Sequence, residues 1–154
     1  MFSQTSEYAL RAAVYLAMRA PNPQTAQQIA SECRVPTDYL FKALQPLSRA
    51  GLLSAQRGKH GGFSLTRDPS EISILDIIQA VDPIKRIRHC PLGLKEHGIR
   101  LCPVHKKLDD ALCAIEETFR DSMLSDLIDP TADIVPLCVK PELIPETALH
   151  AKPY

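Results

Sequence analysis

The sequence predicts a mainly α-helical protein with a small β wing, a winged helix-turn-helix domain followed by a long dimerisation helix. Three observations predict it. Short amphipathic segments, opened by capping residues and closed by proline or glycine, fill residues 6–50. A glycine-rich basic stretch, Arg57-Gly58-Lys59-His60-Gly61-Gly62-Phe63-Ser64-Leu65, comes directly after them. An apolar stripe then recurs at helical spacing from Val104 to Leu127.

The first helix is expected from Ser6, as N-cap, to about Ala20, with Tyr8, Ala12, Tyr15, Leu16 and Met18 or Arg19 in helical register. Pro21-Asn22-Pro23 stops it. Thr25 is expected to cap a second helix, Ala26 to Cys33, and Gln28 completes the Ser/Thr-x-x-Glu/Gln pattern of a capping box. After the turn Arg34-Val35-Pro36, Thr37 is expected to cap a third helix from about Asp38 to Ala50. Leu40, Ala43, Leu44 and Leu47 face inward there, and Gly51 ends it. Pro46 lies inside this helix, removes the bond to the Lys42 carbonyl and is expected to kink it.

Leu52-Leu53 and Phe63/Leu65 supply apolar residues for two short strands, with Gly58 and Gly61-Gly62 at the tip between them. By itself the stretch also fits a solvated basic turn. Behind these helices it reads as a wing that sets Arg57, Lys59 and His60 against DNA. Asp68-Pro69 closes it, and Ser73 is expected to cap a fourth helix ending at Asp82-Pro83. Residues 84–102 form an irregular loop rich in His, Cys, Gly and basic residues. A long helix is expected from Pro103 to about Leu127, with Val104, Leu108, Ala111/Leu112, Ile115, Phe119, Met123 and Leu127 on one stripe that pairs with its copy in a homodimer. Folding back on its own domain is the alternative. The division is thus 1–82 DNA-binding domain, 83–102 sensor loop, 103–128 dimerisation helix and 129–154 Pro-rich tail, extended or disordered.

The 154 residues have a formal net charge of zero. The charge is divided unevenly. Residues 1–67 carry eight Lys/Arg against three acids, +5, and the remainder ten against fifteen, −5. A basic first half fits contact with a double-stranded DNA operator on one side only, and two-fold symmetry makes that operator (pseudo)palindromic. No apolar run is long enough to span a membrane, and Glu7, Arg11 and Arg19 interrupt the only apolar stretch near the N-terminus. A cytoplasmic location follows as the expectation. The five cysteines, 33, 90, 102, 113 and 138, then read as thiols or metal ligands rather than disulfides.

The expected DNA contacts are Thr25 at the head of the second helix, Thr37, Tyr39 and Lys42 in the first turns of the third, and Arg57, Lys59 and His60 on the wing. Asp38 fits equally a contact to cytosine and support of the helix N-terminus. In the loop, Cys102 and His105 are three apart at a helix start and can face one centre, and Cys90 and His97 can fold in. Zinc satisfies these four groups as well as an iron centre does. A Cys/His enzyme is a further reading, but no third group is evident to orient a base.

Ser6-Glu7-Tyr8-Ala9-Leu10-Arg11, Asp38-Tyr39-Leu40, Ala50-Gly51-Leu52, the wing and Cys102-Pro103-Val104-His105 together resemble the Rrf-two family of bacterial transcription regulators over about residues 1–127. The resemblance implies a dimeric winged-helix repressor or activator. Many members carry an iron–sulfur cluster, two-iron or four-iron, in the loop before the dimerisation helix. It implies as ligands Cys90, Cys102 and His105, with His97 where a middle cysteine is expected and Glu7 reaching over from the partner subunit. Mixed nitrogen and sulfur ligation of that kind occurs in Rieske centres. A zinc or metal-free thiol switch is the alternative.

Overall fold

A computed structural model describes residues 2–58, 61–91, 93 and 100–128. The wing-tip residues Lys59 and His60, the loop residue His97 and the 129–154 tail lie outside these. The elements run α1 (Gln4–Arg19), α2 (Ala26–Glu32), α3 (Thr37–Arg49), β1 (Leu53–Gln56), β2 (Gly62–Leu65), α4 (Ile74–Val81) and α5 (Pro103–Asp121). Short 3-10 turns occupy Pro69–Glu71 and Leu124–Leu127.

The core is built on α1, which packs against both α3 and α4. Ala9, Ala12, Ala13 and Ala17 are all buried, and their small side chains let the neighbouring helices approach closely. The helix starts before the Ser6 expected from sequence: Ser3 is the N-cap, and its hydroxyl accepts from the Ser6 N–H at 3.2 Å. Ser6 is fully buried and bonds the Ser3 hydroxyl, so a serine that reads as a cap is a core residue. Of the expected stripe, Ala12, Tyr15 and Leu16 are buried, whereas Met18 and Arg19 are exposed.

The capping box of α2 forms as the sequence predicts, with Gln28 N–H to Thr25 Oγ1 at 3.2 Å and Thr25 N–H to Gln28 Oε1 at 2.8 Å. Arg34 turns the chain in the left-handed region, at φ 52°. Thr37 is not the cap of α3. Pro36 holds that position without a side-chain bond, its carbonyl takes the amides of Tyr39 and Leu40, and Thr37 is the first helical residue. At the far end Gly51 (φ 74°) and Leu52 bond back to the Ser48 and Leu47 carbonyls, which closes α3 in a Schellman motif. The chain passes from there straight into the wing.

β1 and β2 pair antiparallel, from Leu53 opposite Leu65 to Gln56 opposite Gly62. Gln24 adds a third rung: its N–H and C=O both bond Phe63, at 2.9 and 2.8 Å, and its side-chain oxygen accepts from the Tyr15 hydroxyl at 3.0 Å. One residue before α2 thus ties α1 and the wing together. A Cβ on Gly62 would lie 2.5 Å from the Gln24 carbonyl oxygen, so the close approach needs glycine.

Ser73 caps α4 in a capping box with Asp76. The last helix departs from expectation. α5 ends at Asp121, not near Leu127. Ser122 and Met123 are extended and pair with the strand-like segment before α4, through Ile74 N–H to Ser122 O and Leu124 N–H to Ile72 O, each 2.9 Å. Leu124, fully buried, inserts into the core beside Ile72. Met123 and Leu127 therefore belong to a return of the chain onto its own domain. The stripe on α5 proper stops at Phe119, and no residue of α5 is fully buried.

Candidate nucleic-acid interface and sensor loop

Helix α3 buries Leu40, Ala43, Leu44 and Leu47 and presents Thr37, Asp38, Tyr39, Phe41, Lys42, Gln45 and Arg49 outward. Its burial is on one face because the apolar residues fall at helical spacing. Tyr39 stands 47% exposed, with the Tyr8 ring edge-on at 6.3 Å and the Lys42 ammonium 4.8 Å above its centroid. Lys42 and Tyr39 thus form one cation–π unit on the outer face. Phe41, 50% exposed, was not singled out in the sequence. It lines a cleft of about 360 Å³ with Lys42, Leu44, Gln45, Ser48 and Phe63, between α3 and the wing. Its position one residue after buried Leu40 is the signal that was available.

Arg57 is exposed on the wing. Gly61 donates to the Gly58 carbonyl at 2.9 Å and closes the tip, and a Cβ there would collide with the Gln56 carbonyl. Thr66 fastens the base, its hydroxyl bonding Gly51 O at 2.6 Å. The Thr25 hydroxyl is engaged inside its own cap, accepting from Gln28 N–H and donating to Gln28 Oε1 at 2.9 Å. What the head of α2 presents outward is backbone amide, since the first N–H groups of a helix have no intrahelical acceptor.

Of the sequence-predicted metal ligands, the structure brings Cys102 and His105 together. Cys102 is the N-cap of α5, and its Sγ lies 3.2 Å from His105 Nδ1. Tetrahedral zinc–sulfur and zinc–nitrogen distances would place two such ligands about 3.5 Å apart, so a shift of a few tenths of an ångström converts the pair into two metal ligands. Cys90 is half-buried in the loop. Glu7 is ion-paired with Arg11 one turn along α1, so within its own chain its carboxylate is engaged. Among the described residues no three His, Cys, Asp or Glu side chains converge on one point.

One feature of this region is absent from the sequence reading. Arg86, just after α4, makes a two-pronged bond to Asp109 on α5, Nε to Oδ1 and Nη2 to Oδ2, both 2.7 Å, and reaches Glu116 at 3.1 Å. The Ile87 N–H adds 2.9 Å to the same Asp109 oxygen. The Arg86 guanidinium, helped by that amide and by Lys106, holds the Asp109 carboxyl down to about 2, and the two acids push Arg86 upward. This clamp pins the entry of the 83–102 loop to α5 one turn beyond His105. Asp109 and Glu116 are two turns apart, hence on one face, which is the pattern that announces it.

An outward-facing helix flanked by a basic wing defines a winged helix-turn-helix DNA-binding protein. The family model for Rrf2, described as iron-dependent transcriptional regulator, matches residues 2–130. The chain belongs to that family. An HTH-type transcriptional regulator of Aquifex aeolicus is 32% identical over 132 residues, 84% of this chain and 92% of the relative. The solved structure of CymR, the global cysteine regulator of B. subtilis, is similar with TM-score 0.69 and 26% identity, over 82% of this chain and 95% of that one. T. potens IscR shares the fold with TM-score 0.67 at 24% identity, over 82% and 84% of the two chains. The protein is accordingly a DNA-binding transcriptional regulator.

Proposed function

We propose that the protein acts as a homodimer on a (pseudo)palindromic operator and that its occupancy of DNA is set by an iron–sulfur cluster held at the loop before α5. The observation that carries this is the Cys102–His105 pair at the head of α5, 3.2 Å apart, with the loop entry clamped to the same helix by Arg86. Cys90 and His97 complete the ligand set, and Glu7 of the partner, released from Arg11, is the candidate extra ligand. When bound, such a cluster supplies one-electron and oxygen-sensitive chemistry. The chain's own residues do the rest. Cys102 and His105 fix the loop to α5, Arg86 transmits the position of the loop to Asp109 and Glu116, and α5 sets the spacing of the two α3 helices. A state change shifts DNA binding only by its differential affinity for the two arrangements, typically about 1–3 kcal/mol.

Dimerisation rests on the outer face of α5, where Val104 is 66% and Leu108 52% exposed. Leu112 and Ile115 are half-buried and share a groove with Phe2, Pro83 and Ile84, so the outward seam lies nearer the start of the helix than the sequence suggests. Thr25, Thr37, Tyr39, Lys42, Arg57, Lys59 and His60 are the proposed DNA contacts, and a cytoplasmic location is the one such a regulator needs. Among the described residues no helix is long and apolar enough to cross a membrane.

The test is an anaerobic ultraviolet–visible spectrum with iron and sulfide analysis of freshly purified protein. Stoichiometric iron and sulfide, a visible chromophore bleached in Cys90→Ala and Cys102→Ala but kept in Cys33→Ala, and different operator affinity with and without the cluster are expected. Iron-free protein after anaerobic reconstitution, or full colour in both cysteine variants, overturns the cluster. The same Cys102–His105 geometry then favours zinc or a metal-free thiol switch, which metal analysis separates.

A further inference from the structure

The recognition face carries a side chain with no electrostatic role. Phe41 leaves half of its surface in solvent on α3, next to Lys42 and Gln45. It is not a leftover of the core. Leu40, Ala43, Leu44 and Leu47 are each 0% exposed and complete the inward face without it. Tyr39, the other exposed aromatic of this helix, is in ring contact with the Lys42 ammonium and with Tyr8 and has a hydroxyl to offer. Phe41 has no polar atom. It forms one wall of the 360 Å³ cleft whose other walls include Leu44 and Phe63, where β2 meets α3.

An apolar wall on a surface that faces DNA has few partners in the major groove. Base edges present donors and acceptors throughout, with one apolar group, the thymine C5-methyl. We propose that Phe41, backed by the cleft against Phe63, is a specificity-determining residue that reads a thymine methyl in each half-site, while Lys42 and Gln45 flank it with polar contacts. The inference rests on the DNA-binding reading of α3 and adds to it the base that this helix selects.

Burial of one methyl group supports roughly a fourfold change in affinity. The experiment selects operator sites from random duplex DNA with the wild-type protein, then replaces each half-site thymine with uracil, which deletes only the methyl. One thymine per half-site is expected to give about a fourfold loss per half-site with wild type. Phe41→Ala binds the thymine operator more weakly and no longer distinguishes uracil, and Phe41→Leu keeps part of the discrimination. Circular dichroism separates a misfolded variant from a specific one, and the wild-type thymine–uracil comparison needs no variant at all. Wild type that ignores uracil at every position, selected half-sites without thymine, or Phe41→Ala that keeps full discrimination each overturn the proposal. Salt-sensitive, sequence-selective binding in those cases leaves the DNA-binding reading standing. Absence of any selected site removes both.

Discussion

Leu124→Ala tests whether the chain after α5 is part of the winged-helix core. Leu124 is 0% exposed, and its backbone is tied to Ile72 at 2.9 Å. The substitution deletes three buried carbons in a segment fixed on both sides, so the cavity cannot simply collapse. Leu-to-Ala changes at such sites cost about 2–5 kcal/mol. Taking the middle of that range, a chain of this size should lose roughly 7–14 °C in Tm. The assay is thermal unfolding by circular dichroism in dilute and in concentrated protein, with Leu108→Ala alongside. Leu124→Ala should lower Tm equally at both concentrations, because its contacts are within one chain. Leu108 is 52% exposed, so its replacement should matter only where dimers form. A Tm change below about 2 °C for Leu124→Ala, against the range expected for a buried leucine, or one confined to concentrated protein, would refute the fold-back.

Gly62→Ala sets a Cβ 2.5 Å from the Gln24 carbonyl oxygen and should destabilise the wing by about 1–3 kcal/mol, read by urea unfolding, with loss of operator binding. Ser73→Ala removes the reciprocal cap of α4 and should lower stability by about 1 kcal/mol in the same assay, while a wild-type value would mean that the cap is idle. The Asp109 carboxyl is depressed to about 2 from an ordinary 3.8, so its stabilising contribution is complete above about pH 4–5 and is lost as pH falls through 2. Asp109→Asn should flatten the dependence of Tm on pH over that window, and an unchanged slope would exclude the Arg86 clamp as its source. Arg57→Ala should weaken operator binding by about 1–3 kcal/mol and reduce its salt dependence, measured by fluorescence anisotropy.

The elements whose signals are local were legible in the sequence. Thr25 with Gln28, Ser73 at α4 and Gly51 after α3 act within a few residues of themselves, and each does what its spacing implies. Thr37 misled because proline at 36 supplies the carbonyl that starts the helix, and a threonine beside it looks like the cap. Ser6 misled for a similar reason, since Ser3 upstream takes the cap and leaves Ser6 in the core. The end of α5 was not legible. Met123 and Leu127 continue the helical period, but tertiary pairing of Ser122 and Leu124 with residues 72–74 outweighs it. Arg86 with Asp109 spans 23 positions, and Phe41 shares its cleft with Phe63 on another element, so local spacing shows which faces these residues lie on but not the partners they meet. Cys102 and His105 are three positions apart at a helix start, and the structure does bring those two proposed ligands together.

The most direct measurement is selection from a random duplex pool by the wild-type protein and by the Arg57→Ala/Lys59→Ala variant, with the mass of each complex determined by light scattering. α3 and the wing, used twice by a dimer, predict an inverted repeat whose half-sites are centred about one helical turn, 10–10.5 base pairs, or a multiple of it apart. Two chains should sit on each site, and the double variant should recover little or nothing. A pool with no enriched sequence, or full enrichment by the double variant, would contradict it.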